Sequence, residues 1–383
     1  MTAGIVSKLP EFGTTIFTVM SRLAAEHGAI NLSQGFPDFD GPQELRDRVC
    51  WHMNNGHNQY APMPGLPYLR EQVARKVLDL YGAQVDPETQ VTITPGATEA
   101  IFCAVSVVVH PGDEVIIIDP AYDTYHPCVR LNGGVPRHIA LTSPGFAVDW
   151  QQVRDAVNDH TRLIMINTPH NPTGMVWAEA DIQALREVVS GRNIHVMSDE
   201  VYEHICFDEH RHQSLLRYPD LAERAFVISS FGKTYHATGW RIGYCIAPAQ
   251  LTAEFLRIHQ FINFSTNTPM QYGIADFLRD RPGHHRELGA FYQAKRDLFC
   301  QLLEGSRFRL EPASGTYFQL VDYSAISELG DVEFSRWLTT DAGVAAIPIS
   351  VFYREPPPQR VVRFCFAKDD ATLRAAAEIL RSL

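Results

Sequence analysis

The chain has 383 residues, of which 45% are hydrophobic and 20% are charged, and its formal net charge at pH 7 is -11. This length is sufficient for more than one hydrophobic core, so two structural units are the default expectation. An acidic chain with scattered basic residues argues against nucleic acid and anionic membranes as main partners. No apolar run approaches the ~18 residues that a bilayer-spanning helix requires, and no metal site is predicted.

The seven cysteines form no C-x-x-C pair. We expect them to be reduced and to pack as small hydrophobic side chains. Such use is typical of a reducing compartment. Residues 1–8 also lack the apolar core of a signal peptide, so the expected location is cytoplasmic.

In the first two thirds of the chain, apolar runs alternate between strand and helix patterns. Helices are predicted at residues 97–109 and 180–190, and strands at residues 91–94, 114–118, 163–166, 194–197 and 226–229. Short strands that alternate with helices indicate a mostly parallel sheet covered on both faces. The predicted fold class is therefore α/β.

After residue 268 the pattern becomes mainly helical. Helices are predicted at residues 272–279, 286–303 and 371–382, and strands near residues 315–320 and 359–366. These elements indicate a smaller α+β unit, which we expect to pack with the N-terminal segment. The predicted domains are a large unit of residues 41–275 and a discontinuous small unit of residues 1–40 and 276–383.

Lys233 carries the strongest chemical signal of the sequence. It lies within residues 229–243 (SSFGKTYHATGWRIG), directly after the apolar run 225–228. Burial at the end of a strand lowers the pKa of an amine and makes it available as a nucleophile. Asp199 ends another apolar run. A lysine and an acid at neighbouring strand ends suit pyridoxal phosphate (PLP), which needs an anchor for its aldehyde and a partner for its pyridine nitrogen.

Three further polar segments follow predicted strands. Residues 95–100 (PGATEA) join a strand to a helix, where backbone N–H groups can bind an anion; the same turn also serves as a plain helix cap. Residues 169–174 (PHNPTG) and Tyr122 follow other strands, where α/β proteins bind ligands. Taken separately, residues 169–174 could equally be a turn stiffened by prolines, and Tyr122 could equally be an ordinary aromatic residue at an interface. Their occurrence together favours one shared ligand site.

The order of these motifs resembles the class I PLP-dependent aminotransferases of fold type I over nearly the whole chain. The motifs, in chain order, are GATEA, PAY, NPTG, SDEVY, SFGK, GWRIG and RFCF. Residues 32–38 (LSQGFPD), 59–62 (QYAP) and 233–240 (KTYHATGW) are closest to the kynurenine/glutamine aminotransferase branch and, within it, to bacterial methionine aminotransferases.

The resemblance implies how the cofactor is bound. Lys233 would bind the aldehyde and later move a proton, and Asp199 would pair with the pyridine nitrogen. Tyr60 would reach the phosphate of a neighbouring subunit, which implies a homodimer. The other cofactor contacts would be the ring-stacking Tyr122, the 3-oxygen partners Asn171 and Tyr202, and a phosphate site formed by Gly96, Ala97, Thr98, Ser230 and Arg241.

The resemblance also implies the substrate class. Arg363 would clamp the α-carboxylate in bidentate fashion, assisted by Asn171 and Gly35. Residues 261–268 (FINFSTNT) contain no second arginine for a distal carboxylate, and Phe36, Phe39 and Tyr60 suggest an apolar pocket. The expected donors are neutral amino acids, with methionine preferred and aromatic amino acids, glutamine or kynurenine also used, and the acceptor is a 2-oxo acid.

Other functions stay open at this point. A PLP-dependent cysteine-conjugate or cystathionine β-lyase uses the same fold and the same lysine, and release of pyruvate without an added oxo acid distinguishes it. A non-catalytic PLP-fold sensor is disfavoured because Lys233, Asp199 and Arg363 are all present. A dinucleotide-binding enzyme is disfavoured because no strand-linked G-x-G-x-x-G occurs.

Overall fold

The structure is a computed structural model that describes residues 4–383. Residues 1–3 lie outside the described residues. They belong to the segment 1–8, in which we looked for a signal peptide, and to the first part of the predicted small unit. The helices of the described chain are α1 (Ile16–His27), α2 (Gln43–Asn54), α3 (Pro67–Tyr81), α4 (Ala97–Val108), α5 (Tyr125–Leu131), α6 (Trp150–Ala156), α7 (Glu179–Val189), α8 (Pro219–Ala222), α9 (Phe231–Thr234), α10 (Ala249–Ile262), α11 (Thr268–Asp280), α12 (Leu288–Leu303), α13 (Asp331–Trp337) and α14 (Asp370–Arg381).

The strands form a large central sheet and two small sheets. They are β1 (Ile30–Asn31), β2 (Val91–Thr94), β3 (Glu114–Asp119), β4 (Val135–Ala140), β5 (Thr161–Asn167), β6 (His195–Asp199), β7 (Ala225–Ser230), β8 (Gly243–Ile246), β9 (Phe318–Asp322), β10 (Val344–Ala345), β11 (Ile347–Pro348) and β12 (Val361–Cys365).

The central sheet has seven strands in the order β2-β8-β7-β6-β5-β3-β4. The strands from β7 to β4 pair in parallel, whereas β8 runs antiparallel to both β7 and β2. The predicted α/β fold with a mostly parallel sheet is confirmed. The sequence pattern missed β4 because it is a half-exposed edge strand that contains a proline. It also missed β8, which begins at Gly243, the last residue of the GWRIG motif.

Helices cover both faces of this sheet. On one face, Ile116 and Ile164 join the core cluster that includes apolar residues of α3, α7 and α11. The next residues along these strands, Ile117 and Met165, point to the other face and pack with residues of α4 and α10. Alternation of side chains along each strand therefore explains why the strands read as continuous apolar runs.

A separate core surrounds the three-stranded antiparallel sheet β11-β12-β9. Apolar residues of β9, β12, α12 and α14 form this core, together with Leu32 from the N-terminal segment. The N-terminal β1 pairs with β10 in parallel, with Ile30 opposite Val344. The boundaries after residues 40 and 275 stay a prediction.

The helix expected from about residue 286 to residue 303 is present as α12, which follows a short 3₁₀ turn at His284–Glu287. The strand expected near residues 315–320 was wrong by three residues, since it begins at Phe318. Thr316 adopts a left-handed backbone conformation with φ of 65°, which interrupts the strand before that point. No helix among residues 4–383 is both long and apolar enough to cross a bilayer.

Candidate active site

The predicted site residues meet at one edge of the central sheet. Asn167, Asp199 and Ser230 end the adjacent parallel strands β5, β6 and β7, and Asn167 pairs in register with Asp199. Because parallel strands end at the same edge, residues distant in sequence are brought together there. They surround a cavity of about 280 Å³. Of the predicted residues, those that line it are Gly35, Ala97, Thr98, Tyr122, Asn171, Asp199, Tyr202, Ser230, Lys233, Arg241 and Arg363.

Lys233 projects into this cavity from the short helix that follows β7. Its Nζ donates to the hydroxyl of Tyr317 at 2.9 Å and to the carbonyl of Gly35 at 3.2 Å. Burial, assisted by the positive charges of Arg241 and Arg363, lowers the pKa of Lys233 to about 8. About a tenth of this amine is therefore neutral and nucleophilic at pH 7.

Asp199 is buried and lines the same cavity as Lys233. Tyr125 donates its hydroxyl proton to Asp199 Oδ2 at 2.7 Å, and the backbone N–H of Val201 approaches Oδ1 at 3.2 Å. Burial raises the pKa of Asp199 to about 6 although both hydrogen bonds oppose this shift. A cation placed against this carboxylate would lower that pKa again. The environment thus suits a protonated ring nitrogen.

The sequence analysis did not identify Tyr125 as a site residue. Tyr125 lies at the start of α5, three residues after Tyr122, and its side chain is buried. The two rings meet edge to face with centroids 5.7 Å apart. No spacing rule marks Tyr125, because its partner Asp199 is 74 residues further along the chain.

The start of α4 forms a site suited to an anion. Gly96 has a φ of 82°, and a Cβ there would lie 2.6 Å from Nη2 of Arg241. Arg241 itself adopts a left-handed conformation and donates through Nη2 to the hydroxyl of Thr98 at 3.4 Å. The hydroxyl of Ser230 caps the helix of Lys233 nearby. Free N–H groups at the N-terminus of α4, hydroxyls and a guanidinium thus converge where a phosphate could bind.

Arg363 is a buried cation on β12 that faces the same cavity. It donates to Oδ1 of Asn171 at 2.8 Å and to the carbonyl of Ser33 at 3.1 Å. Its guanidinium carbon lies 3.9 Å from the ring centroid of Phe318. Burial lowers the pKa of Arg363 to about 10, and its buried Nε has no hydrogen-bond partner among the described residues. This arrangement suits a carboxylate brought by a ligand.

Tyr202 closes the cavity beside Lys233. Its ring is buried and meets the ring of Tyr317 edge to face, with centroids 5.2 Å apart. Burial raises the pKa of Tyr202 well above its usual range, so the hydroxyl remains protonated and can donate. Tyr202 can therefore hydrogen-bond a phenolic oxygen on a bound ligand.

Three residues predicted near the substrate or cofactor, Phe36, Phe39 and Tyr60, are absent from the cavity lining. Phe36 is 44% exposed and its ring packs against Lys368. Tyr60 is 82% exposed, with its ring 5.3 Å from that of Phe264. Phe39, expected near the substrate, packs instead with Phe291. Because Tyr60 is exposed, it could contact the site of a neighbouring subunit. The roles of Tyr60 and Phe36 stay predictions.

The fold and the cavity agree with comparisons to known proteins. A model of the aminotransferase class I and II family matches residues 27–380. The chain therefore belongs to this family, and the predictions of family and of aminotransferase activity are confirmed. It is 54% identical to the methionine aminotransferase of Escherichia coli (strain K12), over 98% of each chain.

One further relative and two solved structures extend this pattern. The chain is 34% identical to a kynurenine–oxoglutarate transaminase of Dictyostelium discoideum, over 97% of this chain and 94% of the relative. The solved structure of Escherichia coli YbdL, for which a methionine aminotransferase function was identified, has a TM-score of 0.98 and 53% identity, with 100% of both chains covered. The N-succinyldiaminopimelate aminotransferase of Mycobacterium tuberculosis has a TM-score of 0.95 and 38% identity, with 99% of this chain and 100% of that chain covered.

Proposed function

We propose that this aminotransferase uses PLP and prefers methionine as amino donor. Aromatic amino acids, glutamine and kynurenine are further donors, and a 2-oxo acid is the acceptor. The main supporting observation is the cavity in which Lys233, Asp199 and Arg363 face one another. Similarity to a methionine aminotransferase supports the choice of donor.

The chemistry of the cavity fits each part of PLP. The phosphate suits the N-terminus of α4 with Arg241, because the glycine at position 96 leaves room for the guanidinium. Asp199 suits the ring nitrogen, and Lys233 suits the aldehyde. Tyr122 would cover the ring, and Asn171 and Tyr202 would hold its 3-oxygen. When bound, PLP would accept the electrons released as the substrate Cα–H bond breaks.

The protein's own residues would then position the substrate and move its proton. Arg363 would bind the α-carboxylate, aided by Asn171, and so orient the Cα–H bond toward Lys233. The neutral form of Lys233 would accept the proton at Nζ, which its lowered pKa favours. Asp199 would remain ionised against the ring nitrogen and keep it protonated.

The preference for a neutral side chain follows from the charges of the cavity. Its lining includes the apolar side chains of Phe17, Ile101 and Phe318. The arginines that line it are Arg241, which we assign to the phosphate, and Arg363, which we assign to the α-carboxylate. A distal carboxylate would lose water without gaining a partner, which is costly.

The same proposal includes a homodimer, a division into two structural units and a cytoplasmic location. Exposed Tyr60 and Phe261 support a homodimer in which Tyr60 reaches the neighbouring subunit's phosphate site. The two cores support a large unit of residues 41–275 and a small unit of residues 1–40 and 276–383. The seven free cysteines support a reducing, cytoplasmic environment.

The donor preference can be tested with one fixed 2-oxo acid under saturating PLP. We expect kcat/KM for methionine and phenylalanine to exceed that for aspartate by about 100-fold, since an unpaired buried carboxylate costs several kcal/mol. Aspartate as good as methionine would contradict the neutral pocket. In parallel, a cysteine conjugate without oxo acid should release little pyruvate; release faster than transamination would favour the β-lyase.

A further inference from the structure

One buried tyrosine outside the proposed set touches the reacting nitrogen of the site. Tyr317 is fully buried, and its hydroxyl lies 2.9 Å from Nζ of Lys233. The same hydroxyl lies 2.6 Å from the carbonyl oxygen of Gly35, which is 3.2 Å from Nζ. The three polar groups therefore form a closed triangle beside the cavity.

The hydrogen-bond capacities of these groups fix who donates to whom. The carbonyl of Gly35 can only accept, so Tyr317 uses its single proton to donate to it. The oxygen of Tyr317 is then an acceptor toward Lys233. A neutral amine has two N–H groups and one lone pair. Both N–H groups of Lys233 can be taken by Tyr317 and Gly35, which leaves the lone pair free.

The position of Tyr317 is set by its packing. Its ring is in edge contact with those of Tyr202 and Phe318, at centroid distances of 5.2 and 4.9 Å. Its carbonyl accepts from the backbone N–H of Phe366 at 3.0 Å. Nζ of Lys233 lies 5.5 Å from the ring centroids of both Tyr202 and Tyr317. The hydroxyl is thus held on a buried ring that has little freedom to move.

We propose that Tyr317 is a positioning residue for the free amine of Lys233. Together with the carbonyl of Gly35, it would hold this amine once the substrate's amine has replaced Lys233 at the aldehyde carbon of the cofactor. This inference rests on the proposed function. With both N–H groups bound, the lone pair of Nζ points at the substrate. The Cα–H bond breaks, its proton forms the third N–H bond of Lys233, and its electron pair remains on the substrate side. That third N–H, the one not bound to protein, would then deliver the proton to the former aldehyde carbon of the cofactor.

The chain offers a matched control for testing this role. Tyr292 is also fully buried, and its ring lies 5.6 Å from that of Tyr317. Its hydroxyl bonds to Nδ1 of His236 at 2.8 Å rather than to Lys233. Tyr317→Phe and Tyr292→Phe each delete one buried hydroxyl from neighbouring rings, but only the first deletes a contact with the amine.

In the holoenzyme, Tyr317→Phe should lower kcat by about 10- to 100-fold, because proton transfer depends steeply on the position of the base. KM should stay within about twofold, since the clamp at Arg363 is intact. The kinetic isotope effect with Cα-deuterated methionine should rise as proton transfer becomes slower than other steps. Tyr292→Phe should change none of these values by more than about twofold.

A second readout does not depend on turnover. In cofactor-free enzyme, the rate of PLP uptake, followed by its visible absorption band, reports the neutral fraction of Lys233. An acceptor hydroxyl stabilises the ammonium more than the amine, so Tyr317→Phe should shift the midpoint of this pH profile downward. The profile of Tyr292→Phe should match that of the wild type.

Equal kcat, isotope effect and uptake profile in the two variants would overturn the proposal, as would a fall in kcat without a rise in the isotope effect. If Tyr317→Phe does not fold, 3-fluorotyrosine at position 317 keeps the ring and the hydroxyl but weakens its oxygen as an acceptor. It should change kcat and the isotope effect in the same directions, and unchanged values would overturn the proposal. Failure of the proposed function would look different, because the wild type itself would not transaminate.

Discussion

Two buried pairs of a lysine and a carboxylate lie near the same end of the central sheet, and they are organised differently. In the first, Nζ of Lys76 binds Oε1 of Glu203 at 2.8 Å, and the same oxygen accepts from the hydroxyls of Tyr244 at 2.8 Å and Ser229 at 2.5 Å. In the second, Lys233 binds only neutral oxygens, and Asp199 is bound by a tyrosine and a backbone N–H.

The pKa values of the two pairs show what this difference means. Burial alone would raise the pKa of Glu203, but Lys76 and several hydrogen bonds hold it well below its usual range. The pKa of Asp199 is instead raised to about 6, and that of Lys233 is lowered to about 8. The groups of the satisfied pair are already bound to protein atoms, whereas separated groups with shifted pKa values are available to a ligand.

The largest effect is expected from removing the amine of the separated pair. Lys233→Ala should reduce transamination by about 10⁴-fold or more, because one residue would supply both the cofactor bond and the base. PLP should still bind through the phosphate site and Asp199. Exposed Lys8→Ala is the matched control and should keep full activity. Borohydride treatment of the wild type should place the reduced adduct on Lys233, and mass spectrometry that finds it on another lysine would refute the assignment.

Breaking the satisfied pair should affect stability rather than chemistry. Lys76→Met leaves Glu203 buried without its cation, so the free energy of unfolding in urea should fall by about 3–5 kcal/mol. The double variant Lys76→Met/Glu203→Gln should recover part of this loss, because no uncompensated charge remains. The kcat of the folded fraction should stay near that of the wild type. A single variant no less stable than the double variant would contradict the comparison.

The smallest effect concerns pH and compares the two members of the separated pair. Only the neutral amine of Lys233 binds the PLP aldehyde, so uptake by cofactor-free enzyme should rise about tenfold per pH unit and level off above about pH 8. The negative charge of Asp199 raises the pKa of Lys233. Asp199→Ala should therefore move the midpoint to lower pH. A midpoint near pH 10.5, the value of an exposed lysine, would show that burial does not control this amine.

Much of the candidate site could be predicted because its residues lie in short local motifs. Asp199 ends one run of apolar residues and Lys233 follows shortly after another, and such a run marks a buried strand whatever surrounds it. The turn at Gly96 is equally local, because a positive φ there requires glycine. Two of the missed strands lacked such a signal: β4 is half exposed, and β8 begins with a glycine. The displaced strand near residue 318 depends on the backbone conformation of Thr316, which no composition rule predicts.

The sequence by itself thus determined the family and the α/β fold, and it predicted the residues that would react. Only the tertiary structure decided which neutral groups hold those residues. Tyr125 reaches Asp199 across 74 positions of the chain, and Tyr317 reaches Lys233 across 84. Such contacts depend on how the ends of the central strands pack against their surroundings, which include the three-stranded sheet β11-β12-β9. A tyrosine that tunes a buried charge and one that merely fills a core look alike in sequence, because both need only a ring that is buried and a hydroxyl that finds a partner.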